Sequence, residues 1–508
     1  MTNNTATMRS IGLEGTSNRN RIASTLLATL LACIILLTLL GHKPLTNWDE
    51  GIYAEISREM LSSNPLIPHW NYQPWFEKPP LMPWITAIFF RLFGISDFWA
   101  RAGSALSGVA IVALLHTWLI SRKSILAAWF STIILLSIFG FLHVCRVGEM
   151  DVLLSLGCCI SLCGLTAVED RNFKGWYFFW AGLAIALMTK GAACIVIVIT
   201  VLILAAIERW NASLLGKPFR IGLSYFLLAV LPWHFYMAHR FGNSFLTEYF
   251  GFHVVARATH QIEEHITHWW YYLWVLLVSA APFVLLFPSA IVSSFRRKEL
   301  RAWSVFALVV VIFFTIIQTR LPHYIAPAYP AFAVMTSAYL ANRLHAFLER
   351  HPQSPASFWT KVVLVITAIC IAAAFLTSAP RRKLHQAKVG PQIVDAEKES
   401  VQLLREVFSQ PQPTPGPLLV WWEGNQRSIA TSVFYSRRAV QLVQVGPHSG
   451  QTPIDKYLFD PQPLDQAIVS GPRIILLDRY LVQQIPAEYS YHPILVGNSV
   501  EVGLIERR

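Results

Sequence analysis

The stretch IASTLLATLLACIILLTLL, residues Ile22–Leu40, contains no charged side chain. It is long enough for a single helix to cross the hydrocarbon core of a bilayer, which takes roughly 20 residues. Similar apolar runs recur as far as about residue 378. The first run is too long for the core of a signal peptide, and no small-residue cleavage site follows it, so we interpret it as a retained anchor. The sequence therefore predicts a protein that crosses the membrane many times.

The overall composition agrees with this class of protein. Of the 508 residues, 54% are hydrophobic and 14% are charged, whereas about 25% are charged in a typical soluble domain. The net charge of +12 is explained by Lys and Arg clusters that hold loops on the cytoplasmic side. No basic stripe interleaved with aromatic residues occurs in the polar regions, which argues against nucleic-acid binding. The seven cysteines lie in or beside apolar runs, so they predict neither a disulfide framework nor a paired-Cys zinc site.

The distribution of Lys and Arg predicts the topology. Residues 1–21 form a cytoplasmic tail, and the short apolar segment Leu81–Phe93 is peripheral, because counting it as a span would place the later basic loops outside. We therefore predict an α-helical polytopic protein of about 11–13 transmembrane helices. Eleven spans are assigned directly, near residues 22–40, 102–120, 125–143, 152–168, 176–190, 192–207, 221–239, 270–294, 302–318, 325–342 and 361–378.

Three domains follow from this topology. The tail 1–21 precedes a transmembrane domain, 22–380, whose first outer loop covers 42–101. Residues 381–508 are more polar and are predicted to form a small periplasmic α/β domain, in which Gln410–Pro417 is a stiff Pro-rich linker. Its short β-rich runs are Leu418–Trp422, Ala439–Val445 and Arg473–Leu477.

The same topology collects the reactive side chains on one membrane face. Ionisable groups beside a bilayer are costly to hold there, so their clustering indicates a single external site. The candidates in the outward loops are Asp49, Glu50, Glu77, Lys78, Arg146, Asp151, Lys190, His253, Arg257 and Tyr324.

Each carboxylate and cation in this group has a structural and a functional interpretation. Asp49 is suited to accept a proton from an incoming hydroxyl, or to cap a helix that begins at Gly51. Asp151 is a second candidate carboxylate, or a partner of Arg146, or a helix cap. Lys78 is suited to bind a phosphate, or it reaches toward lipid headgroups, and the two prolines that follow it restrict its backbone.

The remaining candidates are suited to ligand binding. Lys190 ends a span, where its charge meets the helix dipole. Tyr324 donates to a phosphate or belongs to the aromatic belt of the membrane interface. Glu77 is a possible ligand of a divalent metal such as Zn, Mg or Mn, with His253 as the natural imidazole partner among five histidines of the outer loops.

Two motifs of the first loop resemble a known family. Asp49-Glu50-Gly-Ile-Tyr53-Ala54-Glu55 and Phe76-Glu77-Lys78-Pro79-Pro80 resemble the bacterial 4-amino-4-deoxy-L-arabinose (aminoarabinose) transferases. These are integral-membrane glycosyltransferases of the GT-C fold, similar to protein O-mannosyltransferases. The resemblance continues through Thr189-Lys190-Gly191 and Leu321-Pro322-His323-Tyr324.

The resemblance implies a function and a role for each candidate residue. It implies transfer of a sugar from a polyprenyl-phosphate carrier to an acceptor such as lipid A, on the periplasmic side of the bacterial inner membrane. It further implies catalytic carboxylates at Asp49 and Asp151 and metal ligands at Glu77 and His253. It places the carrier phosphate against four residues: Lys78, Lys190, Arg257 and Tyr324.

Two alternatives remain open from the residues. The same reaction on a protein or glycan acceptor would leave the same first-loop motifs. A transporter or flippase of lipid-linked sugars is the rival from a different class. Transporters place ionisable groups near mid-membrane and show repeated halves, and this sequence shows neither pattern.

Overall fold

The structure is a computed structural model. It describes residues 18–46, 48–122, 124–210, 215–256, 268–350, 391–410, 414–421, 429–444, 461–468 and 471–508.

Helices account for most of the described chain before residue 351. In chain order the α-helices are α1 (Asn18–Leu37), α2 (Asp49–Glu59), α3 (Leu81–Phe93), α4 (Asp97–Ser121), α5 (Ile125–Ser137), α6 (Phe139–Cys145), α7 (Asp151–Glu169), α8 (Gly175–Lys190), α9 (Ile195–Ile207), α10 (Lys217–Phe241), α11 (Asn243–Leu246), α12 (Tyr271–Ser279), α13 (Phe287–Phe295), α14 (Lys298–Ile316) and α15 (Ala328–Arg350). A π-helical segment covers Thr247–Ala256, and short 3-10 turns cover Gly191–Cys194, Phe283–Leu286 and Pro322–Ile325.

The chain forms two compact units. The first comprises residues 1–40, 76–82 and 101–378, and the second comprises 41–75, 83–100 and 379–508. Most of the predicted first outer loop therefore clusters with the C-terminal region, while residues 76–82 belong to the helical unit.

Membrane spans are evident in the first unit. Among the described residues, six helical stretches are long and apolar enough to cross a membrane, and there are eight if each of two bent helix pairs is one span. This is fewer than the eleven spans predicted. The predicted span 361–378 lies outside the described residues, and α15 is a long helix but is not among the six. Helix α3 is a shorter apolar helix of 13 residues and is not among the six, and its peripheral position stays a prediction.

One of the six stretches, Gly175–Ile207, folds back on itself. A straight helix of 33 residues would be about 50 Å long. Instead, the rings of Trp176 and Trp210, at its two ends, have centroids 6.0 Å apart. The reversal occurs at Gly191, whose φ of +54° lies in the left-handed region that glycine adopts easily. Helices α8 and α9 thus correspond to the two separate spans predicted for 176–190 and 192–207.

Helices α7 and α8 pack with their backbones in direct contact. A Cβ atom added at Gly157 would lie 2.7 Å from the carbonyl oxygen of Gly182, so only a residue without a side chain fits there. Such small-residue contacts allow membrane helices to approach closely. This packing holds Asp151 and Lys190, at the first residue of α7 and the last of α8, at the same end of the pair.

The second unit is a mixed α/β structure. Its later elements are α16 (Pro391–Val407), α17 (Ile429–Ser436) and α18 (Leu464–Ala467), with strands β1 (His69–Trp70), β2 (Gln73–Pro74), β3 (Leu418–Trp421), β4 (Val440–Gln444), β5 (Gln462–Pro463), β6 (Arg473–Asp478), β7 (Tyr489–Val496) and β8 (Val500–Arg507). The main sheet has the order β5-β4-β3-β6-β8-β7. Strand β3 is parallel to β4 and β6, while β8 is antiparallel to β6 and β7. The predicted α/β class of the C-terminal region is confirmed.

Residues of the first loop are anchored to this sheet. The side-chain amide of Asn71 donates to the carbonyl of Val440 at 2.9 Å, and its oxygen accepts the Val440 amide at 2.8 Å. Helix α2 packs on α17, where a Cβ added at Gly51 would lie 3.0 Å from that of Ala430. These contacts make the loop and the C-terminal region one folded unit.

Candidate active site

Five of the eight predicted site residues line one cavity in the helical unit. The cavity has a volume of about 530 Å³. Its polar lining includes Glu77, Lys78, Asp151, Lys190 and Tyr324. These residues come from four separate places in the sequence, so the fold has brought them together.

The Glu77-Lys78 segment is held by aromatic packing on its N-terminal side and by prolines after it. The ring of Phe76 lies 4.9 Å from that of Phe241 and 5.8 Å from that of Phe245. Pro79 is in van der Waals range of Gly191, since a Cβ added there would lie 3.7 Å from the Pro79 Cδ. The segment is therefore fixed against the α8–α9 turn, where Lys190 ends its helix.

Asp151 and Lys190 form a buried ion pair at the centre of the cavity wall. Lys190 Nζ donates to Asp151 Oδ1 at 2.6 Å, and the two side chains are 12% and 4% exposed, respectively. Lys190 Nζ also lies 5.1 Å from the ring centroid of Tyr324, within the range of a cation–π contact. Because a buried charge is costly when unpaired, each member of this pair holds the other in place.

The alternative pairing of Asp151 with Arg146 is wrong. Arg146 instead donates to backbone carbonyls at the end of α1, at Ile35, Leu36 and Thr38. Those carbonyls are left without helical partners at the helix terminus, and the guanidinium, with five donors, satisfies several of them at once. Arg146 is therefore a structural residue that ties α6 to α1.

A second group of possible ligands lies beside the pair, and the sequence reasoning did not select it. The donor atoms of Glu149, Asp151 and His323 all lie within 4.8 Å of one another. His323 Nδ1 is 3.9 Å from Glu149 Oε2, and Ser104 Oγ holds the loop by donating to the Glu149 carbonyl at 2.7 Å. His323 is one of the five outer-loop histidines that the sequence offers as an imidazole ligand, whereas Glu149 was missed, although it lies only two residues before Asp151.

Most of the rest of the cavity lining is apolar, with Thr319 as a polar exception. Tyr249 also lines the cavity, and its hydroxyl bonds with His234 Nε2 at 3.2 Å. Aliphatic and aromatic side chains of α7, α8, α9 and α14, and of the residue after α14, supply most of the remaining wall: Leu154, Leu187, Ile195, Val198, Phe313, Phe314 and Ile317. A polar end with two lysines and two carboxylates and a hydrocarbon wall thus share one cavity, which suits an amphipathic ligand with a polar head.

Comparisons with known proteins identify relatives of this chain. The profile of the family described as "Dolichyl-phosphate-mannose-protein mannosyltransferase" matches residues 77–236. An uncharacterized protein of Aquifex aeolicus is 30% identical over 301 residues, which cover 59% of this chain and 69% of that protein. An undecaprenyl phosphate-alpha-4-amino-4-deoxy-L-arabinose arabinosyl transferase 2 of Pseudomonas fluorescens is 31% identical over 361 residues, or 67% of this chain and 60% of that protein.

A solved structure has the same fold. The crystal structure of ArnT from Cupriavidus metallidurans bound to undecaprenyl phosphate superposes with a TM-score of 0.70 at 19% sequence identity, covering 96% of this chain and 98% of that one. The chain belongs to the aminoarabinose transferase-like family of membrane glycosyltransferases. It spans 54% and 60% of the lengths of two named arabinosyl transferases that it matches, from Erwinia tasmaniensis and Pseudomonas fluorescens.

For the other three predicted site residues of this aminoarabinose transferase-like chain, the structure gives no position in the cavity. Asp49 is the first residue of α2 in the second unit, so the helix begins two residues earlier than the capping interpretation requires. It is Glu50 that binds backbone there, accepting the Thr46 amide at 2.7 Å. His253 belongs to the π-helical segment Thr247–Ala256, and Arg257 lies outside the described residues.

Proposed function

We propose that this protein transfers a sugar from a polyprenyl-phosphate carrier to lipid A or another envelope lipid, on the periplasmic side of the bacterial inner membrane. The observation that carries the proposal is the cavity in which Lys78 and Lys190 adjoin a hydrocarbon wall. The ammonium groups suit a phosphate, and the apolar wall suits the isoprenoid chain attached to it. The arabinosyl transferases and the undecaprenyl-phosphate complex among its relatives support the same donor class.

The proposed reaction is a single displacement at the anomeric carbon of the sugar. The acceptor oxygen forms a bond to this carbon, the bond from carbon to phosphate oxygen breaks, and polyprenyl phosphate leaves. Negative charge develops on the leaving phosphate, and Lys78 and Lys190 offset it from fixed positions. The proton of a hydroxyl acceptor passes to a carboxylate, with Asp151 and Asp49 as the proposed bases. With a phosphate acceptor, which is already ionised, the carboxylates position groups instead.

A divalent metal is part of the proposal, with Glu77 and His253 as its ligands. Glu77 contributes a carboxylate to the cavity, and the segment that carries His253 also carries Tyr249 to the same cavity wall. Carboxylate and imidazole donors suit Mg, Mn or Zn, and the Glu149, Asp151 and His323 group offers further donors. Such an ion would add Lewis-acid stabilisation of the phosphate charge.

A mass-spectrometric transfer assay tests this function. Purified protein is mixed with polyprenyl-phosphate sugars and envelope extract, and the wild type is run beside Asp151→Asn and Asp49→Asn, with and without a chelator. We expect wild-type transfer and a loss of about 10²-fold or more in each variant, and the product identifies the acceptor. A protein or glycan product would replace the lipid acceptor in the proposal. A carrier that is bound but never consumed would contradict the transferase and favour transport.

A further inference from the structure

A second cavity lies at the opposite end of the helices that reach the active site. Helix α7 begins at Asp151, in the active-site cavity, and is followed directly by Asp170, in the second cavity. Helix α14 runs the other way, from Lys298 in the second cavity toward Phe313 and Phe314 in the first. Nineteen helical residues span about 28 Å, so the two cavities lie about one membrane thickness apart.

The second cavity is strongly cationic. Its volume is about 1070 Å³. The acidic residues of its lining are Asp170 and Glu299, against five basic residues: Arg296, Arg297, Lys298, Arg301 and Arg343.

Part of this charge is already paired and part is available. Arg301 pairs with Glu208, and Asp170 pairs with Arg122 at 2.5 Å, so both of these lining residues have partners outside the cavity lining. In contrast, Nη1 of Arg297 is buried, and among the described residues it has no hydrogen-bond partner. Oε1 of Glu299, in the same lining, is likewise buried without a partner among the described residues. A buried donor without an acceptor is costly, and the excess of five basic over two acidic residues in this lining favours an anion as the missing partner of Arg297.

The wall of the cavity favours a lipid anion over a soluble one. Pro288 and Val292 of α13 line the cavity beside the cations, and Val292 is 54% exposed. Phe295, at the end of the same helix, is 40% exposed. Apolar side chains exposed on a membrane helix face the hydrocarbon of the bilayer. A headgroup in the cavity would therefore continue into acyl chains along α13.

We propose that this cavity binds the phosphate headgroup of an anionic membrane lipid in the cytoplasmic leaflet. Basic pockets between membrane helices on the cytoplasmic side are suited to such headgroups. Arg297 supplies the buried donor, and Arg343, whose guanidinium lies 5.2 Å from the ring centroid of Tyr339, supplies a second fixed cation. Positive-inside topology explains the presence of basic residues at this face, but it does not require that Nη1 of Arg297 be buried without a hydrogen-bond partner among the described residues.

Native mass spectrometry of the full chain in detergent tests the site. The probes are cardiolipin, phosphatidylglycerol, neutral-headgroup phosphatidylethanolamine and inorganic pyrophosphate. We expect the wild type to retain the anionic lipids in preference to phosphatidylethanolamine and pyrophosphate. Each Lys or Arg near an anionic headgroup contributes roughly fivefold, so the double variant Arg297→Gln/Arg343→Gln should retain anionic lipid about 30-fold less.

Two further variants distinguish a loss of lipid binding from misfolding and from a general effect of removing positive charge. Arg297→Lys/Arg343→Lys keeps the charge and should restore most of the retention. Arg220→Gln removes a cation of the first turn of α10, outside the cavity lining, and should leave retention unchanged. Equal retention by the wild type and a folded double variant would overturn the proposal, as would preferential binding of pyrophosphate.

Discussion

Helix α2 and the cavity around Lys78 are both rich in ionisable side chains, but they use them differently. In α2, Arg58 makes two hydrogen bonds, at 2.7 and 2.6 Å, to Glu55, three residues earlier. In the cavity, Lys190 and Asp151 are 39 residues apart and come from different helices. Charges that are satisfied by near neighbours stabilise local structure. Charged side chains that come from different helices and meet in a cavity are placed to bind a ligand.

The α2 network also extends to the hairpin that follows it. Glu59 accepts the Tyr72 amide with both carboxylate oxygens, at 3.1 and 3.0 Å. The Tyr72 hydroxyl accepts from Arg58 at 2.9 Å and donates to the Arg437 carbonyl at 2.9 Å. Glu55 of the family-like motif, and Arg58 and Glu59 shortly after it, therefore have structural roles that the motif alone does not reveal.

The largest effect is expected from breaking the pair in the cavity. Lys190→Met leaves the Asp151 carboxylate buried and unpaired, which should cost about 3–5 kcal/mol of stability. Thermal unfolding in detergent measures this loss. The double variant Lys190→Met/Asp151→Asn should recover most of the stability but none of the sugar transfer. Recovery of transfer in the double variant would show that the pair is structural, like the network of α2.

A comparable change in α2 should affect stability without affecting the ligand. Arg58→Met leaves Glu55, whose side chain is fully buried, without its cation, and we expect a loss of about 3 kcal/mol. Glu55→Met/Arg58→Met should recover part of it, and Arg91→Met, at an exposed cation of α3, is the matched control. Carrier binding by folded Arg58→Met should equal that of the wild type. Weaker carrier binding by this variant would contradict the proposed difference between α2 and the cavity around Lys78.

A smaller effect is expected from pH. Burial, and secondarily the charge of Glu55, raise the pKa of Glu59 to about 8 from its ordinary value of 4.5. The folded protein then holds a proton that the unfolded chain releases between these two values, so stability falls as pH rises through that window. We expect Glu59→Gln to remove on the order of 2 kcal/mol of this pH dependence. Parallel pH profiles of unfolding for the two proteins would contradict this assignment.

The sequence selected candidate site residues that are chemically suited to the reaction and also lie in a recognisable motif. It did not select residues that become neighbours only when the chain folds. Glu77, Lys78, Asp151, Lys190 and Tyr324 were each selected, because ionisable groups beside apolar spans are conspicuous. Of the alternatives for Asp151, the pairing with Arg146 is wrong, because spacing favours a cation five residues away over one 39 residues away. Glu149 and Tyr249 were missed because each becomes notable only beside its neighbours in space, and His323 was offered only as one of five outer-loop histidines.

The fold shows the same contrast. Strands β3, β4 and β6 were predicted to within about one residue, because they are buried and rich in branched apolar residues. Strand β7 was missed, since it is an edge strand with mixed exposure and contains Pro493. An edge strand lacks the apolar alternation that identifies a strand in sequence, and proline is tolerated at such an edge.

The central claim is that the cavity around Lys78 binds the carrier phosphate, and carrier binding tests it most directly. Undecaprenyl phosphate is titrated by native mass spectrometry against the wild type, Lys78→Met and the control Lys217→Met, with undecaprenol, which lacks the phosphate, as the matched ligand. We expect Lys78→Met to weaken binding of the phosphate by about tenfold or more and to leave binding of undecaprenol unchanged. Equal affinity of folded Lys78→Met and the wild type for undecaprenyl phosphate would contradict the account.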